Sequence, residues 1–351
     1  MPTEKQTEIS RQAKRLLKPG EKPTLKTLSR LSGMAVATVS RALSDAPDIS
    51  DATKKKIRQI ANDVGYVPNR AGVRLRTGRT NVIALVLAAE ADILNHTAKL
   101  ITSISEELQS TPFHLIVKPQ LPGEDPLRAI RYFVETGSAD GIIINQTTAE
   151  DTRVAYMLKK GFPFVTHGRT NWPDQHPFFD YDNEQLARQA LQHLYDLGRR
   201  RILLVLPPQN QCYSQHLRTG AMDTAHKLGL ELRFNEGVTA NSSITVLREY
   251  LTVKLRDDPV IDAICGSSPA SAMAGAAAAE ANGLKVGKDI DILGKETIPF
   301  LKEFRPGIIT AHEDVSRAGH FLTKAVIQAI RNPEKWPMQG IDIPSSDLFK
   351  Y

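Results

Sequence analysis

Two hydrophobic rhythms divide the chain. Near the N-terminus Leu25, Leu28 and Leu31 recur at helical spacing, with Thr24 placed as an N-cap after Pro23. Ser32-Gly33 then interrupts the stripe, glycine being the residue that tolerates a left-handed turn. Val36, Val39 and Leu43 make a second short stripe. A third follows in Ile57, Ile60, Ala61 and Val64, with Ser50 or Asp51 as its cap and Gly65 just past its end. Lys54, Lys55, Lys56 and Arg58 fall on its other faces. Helix, glycine turn and helix within about 20 residues have the dimensions of a helix-turn-helix. Residues 69–77 predict a conditional fourth helix. Asn69 can cap it and Leu75 is its main large apolar side chain, but Gly72 inside it costs about 1 kcal/mol relative to alanine. Eight or nine such residues are marginal alone, so this stretch is expected to be unfolded when free and helical against a partner.

From Asn81 the rhythm changes. Val82–Leu87 is a short, wholly apolar run of the kind found in buried parallel strands. Similar runs cover 114–117, 141–144, 163–166, 202–206, 261–265, 290–293 and 307–311. Amphipathic helices stand between many of them, for example at 100–108, 185–197 and 218–228. That alternation predicts right-handed crossovers and parallel sheets. Eight strands exceed one comfortable core, which predicts two α/β lobes.

The formal net charge of +6 is unevenly placed. Residues 1–80 hold 17 Lys and Arg against 7 Asp and Glu, a net of +10, and the remainder nets −4. A basic head on a slightly acidic body points to a polyanionic partner, nucleic acid first and a membrane surface second. Residues 1–22 lack apolar periodicity and predict a flexible basic leader, with no secretory signal. No apolar run is long enough for a membrane span; the alanine-rich stretch 270–279 stops at Glu280. Cys212 and Cys265 predict two inert thiols in a reducing compartment. A soluble cytoplasmic protein is expected.

The run from Thr24 to Leu43 (TLKTLSRLSGMAVATVSRAL), followed by 65–75 (GYVPNRAGVRL), resembles the DNA-binding domain of the lactose/galactose repressor (LacI/GalR) family over about 55 residues. The resemblance implies that the second helix enters the major groove. Val36 and Ala37 at its start can pack on a thymine methyl, and Arg41 can pair bidentately with guanine. Thr38, Ser40, Tyr66 and Asn69 are candidate phosphate contacts. Residues 69–80 would be the hinge helix and linker. Leu75 would wedge into a central minor-groove step, flanked by Arg74 and Arg76. Ala35 stands where many members carry serine.

More loosely, the body resembles the type I periplasmic-binding-protein fold that serves this family as effector domain. Its landmarks are residues 139–145, 162–169, 179–183 and 197–202. The implied architecture is α/β: a helix-turn-helix domain at 23–68, the hinge at 69–80, then a two-lobed domain with parallel sheets at 81–345. Lobe one is expected at about 81–180 plus 313–340 and lobe two at about 181–307, around a ligand cleft. Ligands bind beyond the carboxyl ends of strands, where Asn145, His167 and Arg169 fall. Asp182 either faces the ligand or caps the next helix. Arg218 lies one residue nearer Gly220 than the family's ligand arginine, and His216 can share its role. Lys295 or Glu296 occupies the ligand side after a late strand, and Glu313 replaces a common glutamine. Within the family the nearest likeness is to regulators of the α-glucoside type.

No His-Glu-x-x-His, Gly-x-Ser-x-Gly, P-loop or Gly-x-Gly-x-x-Gly run is present, so no catalytic residue, cofactor or metal set is expected. His312-Glu313-Asp314 is no metal triple, because neighbours on a strand point opposite ways. The chain therefore reads as a homodimeric, ligand-responsive transcriptional repressor of sugar uptake or catabolism genes. Its partners would be palindromic double-stranded operator DNA and a sugar-like effector, with no membrane. The alternatives are an activator or dual regulator answering a non-sugar metabolite, or an α/β enzyme fused to a DNA-binding head. No leucine heptad follows Pro344, so a tetramerising coiled coil is not expected.

Overall fold

A computed structural model describes residues 21–67, 72, 74, 78–88, 94–346, 348 and 349. Asn69, Leu75 and Arg76 lie outside the described residues, as does the leader up to residue 20. Two compact units divide at Thr80 and Asn81.

The head holds α1 (Leu25–Ser32), α2 (Val36–Leu43) and α3 (Asp51–Asp63). Thr24 caps α1 in a reciprocal capping box with Thr27, and Gly33 at φ 71° ends it. Ser50, rather than Asp51, caps α3. A Schellman turn closes α3: Gly65 N–H donates to Asn62 and Tyr66 N–H to Ala61 at 2.8 Å. Leu28, Val39, Ala42, Ile57, Ile60 and Ala61 form the core, and Tyr66 packs partly against it. Lys54 is no solvated surface base: it is buried, and its ammonium reaches Asp45 at 3.3 Å.

The body carries two parallel sheets. The first comprises β1 (Val82–Ala88), β2 (His114–Gln120), β3 (Gly141–Asn145), β4 (Phe164–His167), β5 (Phe178–Tyr181) and, last in the chain, β11 (Gln339–Asp342). Its order is β11-β5-β4-β3-β1-β2. The second comprises β6 (Arg201–Val205), β7 (Glu231–Phe234), β8 (Ala263–Gly266), β9 (Asp291–Glu296) and β10 (Ile308–His312), in the order β10-β9-β8-β6-β7. β5, β7 and β11 do not stand out as apolar runs because polar residues interrupt each of them: Asp180 in β5, Glu231 and Arg233 in β7, Gln339 and Asp342 in β11. The expectation of a buried strand at 114–117 is corrected: β2 is an edge strand, with Ile116 and Val117 exposed.

Helices cover the sheets. In lobe one these are α4 (Leu94–Leu108), α5 (Leu127–Thr136), α6 (Thr152–Lys160) and α12 (Val315–Arg331). In lobe two they are α7 (Asn183–Asp196), α8 (Cys212–Leu228), α9 (Ile244–Asp257), α10 (Pro269–Ala281) and the short α11 (Phe300–Phe304). The alanine run lies in α10, which is buried over most of its surface. Small side chains let it approach the sheet: a Cβ on Gly294 would stand 2.5 Å from that of Ala272. The chain crosses between lobes at 181–183 and 312–315. It returns at its end, where Leu348 and Phe349 pack on lobe two and the Phe349 ring stacks on His193 at 5.2 Å. No described helix is long and apolar enough to cross a membrane.

Candidate functional site

On the head, α2 separates its two duties by face. Val39 and Ala42 point into the core, whereas Val36, Ala37 and Arg41 are exposed and Thr38 and Ser40 half-buried. The Arg41 guanidinium meets the Asp48 carboxylate at 2.5 Å, with both side chains in solvent. A surface pair of this kind holds little energy, so Arg41 can exchange it for a base edge at small cost. Ala35 precedes α2 without a side-chain cap bond, which leaves amide groups at the helix start available to a phosphate. Tyr66 lays its ring on the core, and Arg74 is exposed.

In the body the carboxyl ends of both sheets face one interlobe cleft of about 330 Å³. β3 ends in Asn145, buried, whose Oδ1 accepts from Ala88 N–H at 3.2 Å. That bond holds one end of the amide and leaves the other for a ligand. Gln146 follows at φ 51°, a left-handed conformation that turns the chain along the cleft. β4 ends in His167, which also lines the cleft. Burial, and secondly the nearby His96, push the His167 imidazole down to about 4. Lys295 and Glu296 both line the wall from β9. Lys295 reaches Glu313 at 2.5 Å and sits over the Tyr181 ring at 4.3 Å. Burial alone would raise the Glu313 carboxyl, but the Lys295 ammonium and the facing imidazoles hold it below its ordinary range. Glu296 is committed locally, its Oε2 accepting from Leu301 N–H at 2.8 Å.

Other expected ligand residues stand elsewhere. Arg169 lies behind the lining, its Nε donating to Asp180 at 2.7 Å and its Nη2 lying 3.4 Å from His216 Nδ1. His216 is thus tied from lobe two to the lobe-one Asp180, 3.8 Å away. Burial and then Arg169 lower its pKa. Asp182 caps α7, accepting from Gln185 N–H at 3.0 Å, and is not among the lining residues. Arg218 turns from the cleft and lays its guanidinium on the Phe234 ring at 3.9 Å.

Sequence reasoning missed His96, Asp180, Tyr213, Ser268, Met273 and Phe300, all on the wall. Ser268 carried a signal: it caps α10 in a capping box with Ser271, at the start of a strongly apolar run. The fold also gathers His96, His167 and Glu313, whose potential ligand atoms lie within 4.8 Å of one another. Both thiols are pushed up by burial, Cys212 to about 11 and Cys265 to about 12, so neither is an activated nucleophile.

Residues 24–69 match the family described as bacterial regulatory proteins, lacI family. Residues 80–335 match that described as periplasmic binding proteins and sugar binding domain of LacI family. The HTH-type transcriptional regulator AglR of Rhizobium meliloti (strain 1021) is 31% identical over 326 residues, covering 90% of each chain. CelR of Thermobifida fusca, also named an HTH-type transcriptional regulator, is 24% identical over 91% of this chain and 95% of its own. Among solved structures, the lac repressor dimer bound to operator and the anti-inducer ONPF aligns with a TM-score of 0.77 at 17% identity. That alignment covers 92% of this chain and 97% of the other. The transcriptional regulator CelR–cellobiose complex aligns at 0.67 and 22% identity, over 92% and 98%. At these identities the two structures speak for the fold.

Proposed function

The chain belongs to the lacI family of bacterial regulatory proteins, and from that membership we propose that it is a sugar-responsive repressor binding a palindromic operator as a homodimer. It is a DNA-binding transcriptional regulator, and its relatives are named as regulators rather than enzymes. The observation that carries the finer reading is the interlobe cleft. A gluco-disaccharide presents many hydroxyls and two apolar ring faces. The cleft offers an amide in Asn145, a carboxylate in Asp180 and hydroxyls in Ser268 and Tyr213, beside the apolar Met273 and Phe300. The CelR–cellobiose complex supports a disaccharide, and the sequence likeness to α-glucoside regulators selects the linkage to try first. Ligand drawn between the lobes favours one lobe arrangement, and operator affinity follows. A change in occupancy from 1:99 to 99:1 takes about 5.5 kcal/mol of differential binding. On the head, Arg41 reads a guanine while Val36 and Ala37 approach the thymine side of the groove.

The test pairs two measurements on the full chain. Thermal melts are run against α- and β-linked gluco-disaccharides, and anisotropy titrations against DNA from upstream of the gene. An α-glucoside at about 100 times its Kd should stabilise the protein by about 2.7 kcal/mol and change operator affinity tenfold or more. No shift with any sugar of the panel overturns the sugar reading. Sugar turnover would replace the regulator reading of the cleft with the enzyme alternative.

A further inference from the structure

We propose that the back of the cleft is a binding site for a divalent first-row transition-metal ion of the zinc type, held by His96, His167 and Glu313. His96 comes from the first turn of α4, His167 from the end of β4 and Glu313 from the crossing between β10 and α12. Two imidazoles and one carboxylate, with a further position open to the cleft, are a ligand set that zinc takes in sites with an exchangeable fourth partner. That position faces the space where an effector hydroxyl or a water can reach it. Magnesium and calcium are poor fits, because they prefer all-oxygen shells.

Two observations carry the site. The imidazole rings lie 5.4 Å apart between centroids and are stacked at 14°, so one ring must turn for its nitrogen to meet the other's at an ion. Two ring nitrogens on one ion, each about 2.05 Å from it, put ring centroids roughly 5 Å apart at a tetrahedral angle. The long axis of the set must still draw in, since tetrahedral nitrogens stand roughly 3.3 Å apart against the present limit of 4.8 Å. Side-chain rotation in an open cleft supplies that movement. Next, no hydrogen bond among the described residues occupies the ring nitrogens of His96 or His167. Both side chains are half-buried on the cleft wall, so these nitrogens are open to a ligand.

One group opposes the ion. The Lys295 ammonium already neutralises Glu313 and would face the incoming charge. It has a second resting place on the Tyr181 ring and need not leave the cleft. Lys295 is therefore a competitor whose removal tightens metal binding. This sign separates a metal site from a simple structural ion pair.

The experiment uses the tag-free full chain. Zinc is titrated in competition with a chromophoric chelator, Mg²⁺ serves as the control, and the visible absorption of the Co²⁺-loaded protein reports the ligand set. One Zn²⁺ per chain is expected, with no response to Mg²⁺ and four-coordinate Co²⁺ bands. His96→Gln and His167→Gln should each lower zinc affinity at least tenfold and remove the bands, while Lys295→Met should raise it several-fold. His96 is only half-buried, so His96→Gln keeps the test open if the His167 variant fails to fold. Absent binding, or binding untouched by both histidine variants, overturns the proposal. Neither result bears on the sugar reading, whose melts are run in chelator.

Discussion

The two lobes share one topology and differ in what they bring to the cleft. Leaving aside the added β11, the first sheet runs β5-β4-β3-β1-β2 and the second β10-β9-β8-β6-β7, the same order twice. Both therefore aim the carboxyl ends of their strands at a common space. Lobe one lines it with ionisable and amide groups, namely His96, Asn145, His167 and Asp180. Lobe two lines it mostly with hydroxyl and apolar groups, Ser268, Tyr213, Met273 and Phe300, and adds the Lys295 that neutralises Glu313. A shared fold thus sets where a site forms, and strand-end residues set its chemistry. One wall orients polar groups and the other covers apolar faces.

The largest effect that would break this symmetry is in packing. Each lobe crosses two helices at a glycine, but not against the same neighbour. A Cβ on Gly220 would stand 2.3 Å from the Glu184 carbonyl oxygen, which is backbone and cannot step aside. A Cβ on Gly319 would meet the Ser103 hydroxyl, which can rotate, and would also stand 2.8 Å from the Ser103 Cβ, which moves only with its helix. Gly220→Ala should cost about 3 kcal/mol and Gly319→Ala about 2 kcal/mol in denaturant unfolding. Equal costs would mean that the two crossings yield alike.

A second asymmetry is acid sensitivity. The His167 pKa in the folded protein lies near 4, below its ordinary value of 6.5. The unfolded chain therefore binds its proton first as pH falls, and stability drops from pH 6.5 towards 4. His96 shifts in the same direction by burial. Lys295, Glu313 and Asp180 set the charge around them. The loss from His167 approaches about 3 kcal/mol at the acid end. In chelator, to keep the metal question separate, His167→Gln should flatten this part of the stability–pH curve. An unchanged slope would place the acid sensitivity outside the lobe-one wall.

The smallest effect separates the walls by ligand affinity. Asn145→Ala removes an orienting amide and its anchor to Ala88, whereas Met273→Ala removes apolar cover. Calorimetry with the best disaccharide from the melts should show a loss of about tenfold for the first and about threefold for the second. The reverse ranking would make burial, not orientation, the main source of affinity.

Asn145 and His167 were legible as wall residues because each closes an apolar strand run, and strand ends in open parallel sheets face the ligand. Arg218 was not placed by the same logic. It sits one residue off the expected spacing, and one residue on a helix is a rotation of about 100°, enough to carry its guanidinium round to Phe234. Arg169 and His216 were close in kind yet stand behind the wall, tied to Asp180.

The sequence by itself determined the local elements: three capped helices in the head, apolar runs of strand length in the body, and the faces of α2 that turn to the core or to solvent. These follow from periodicity, which links residues a few positions apart. The tertiary structure alone decided which strand lies at an edge, why an alanine helix can be buried, and that His96, His167, Lys295 and Glu313 meet in one place. Those residues come from separate crossovers, and no periodicity relates side chains that only the closing of the sheets brings within reach of each other.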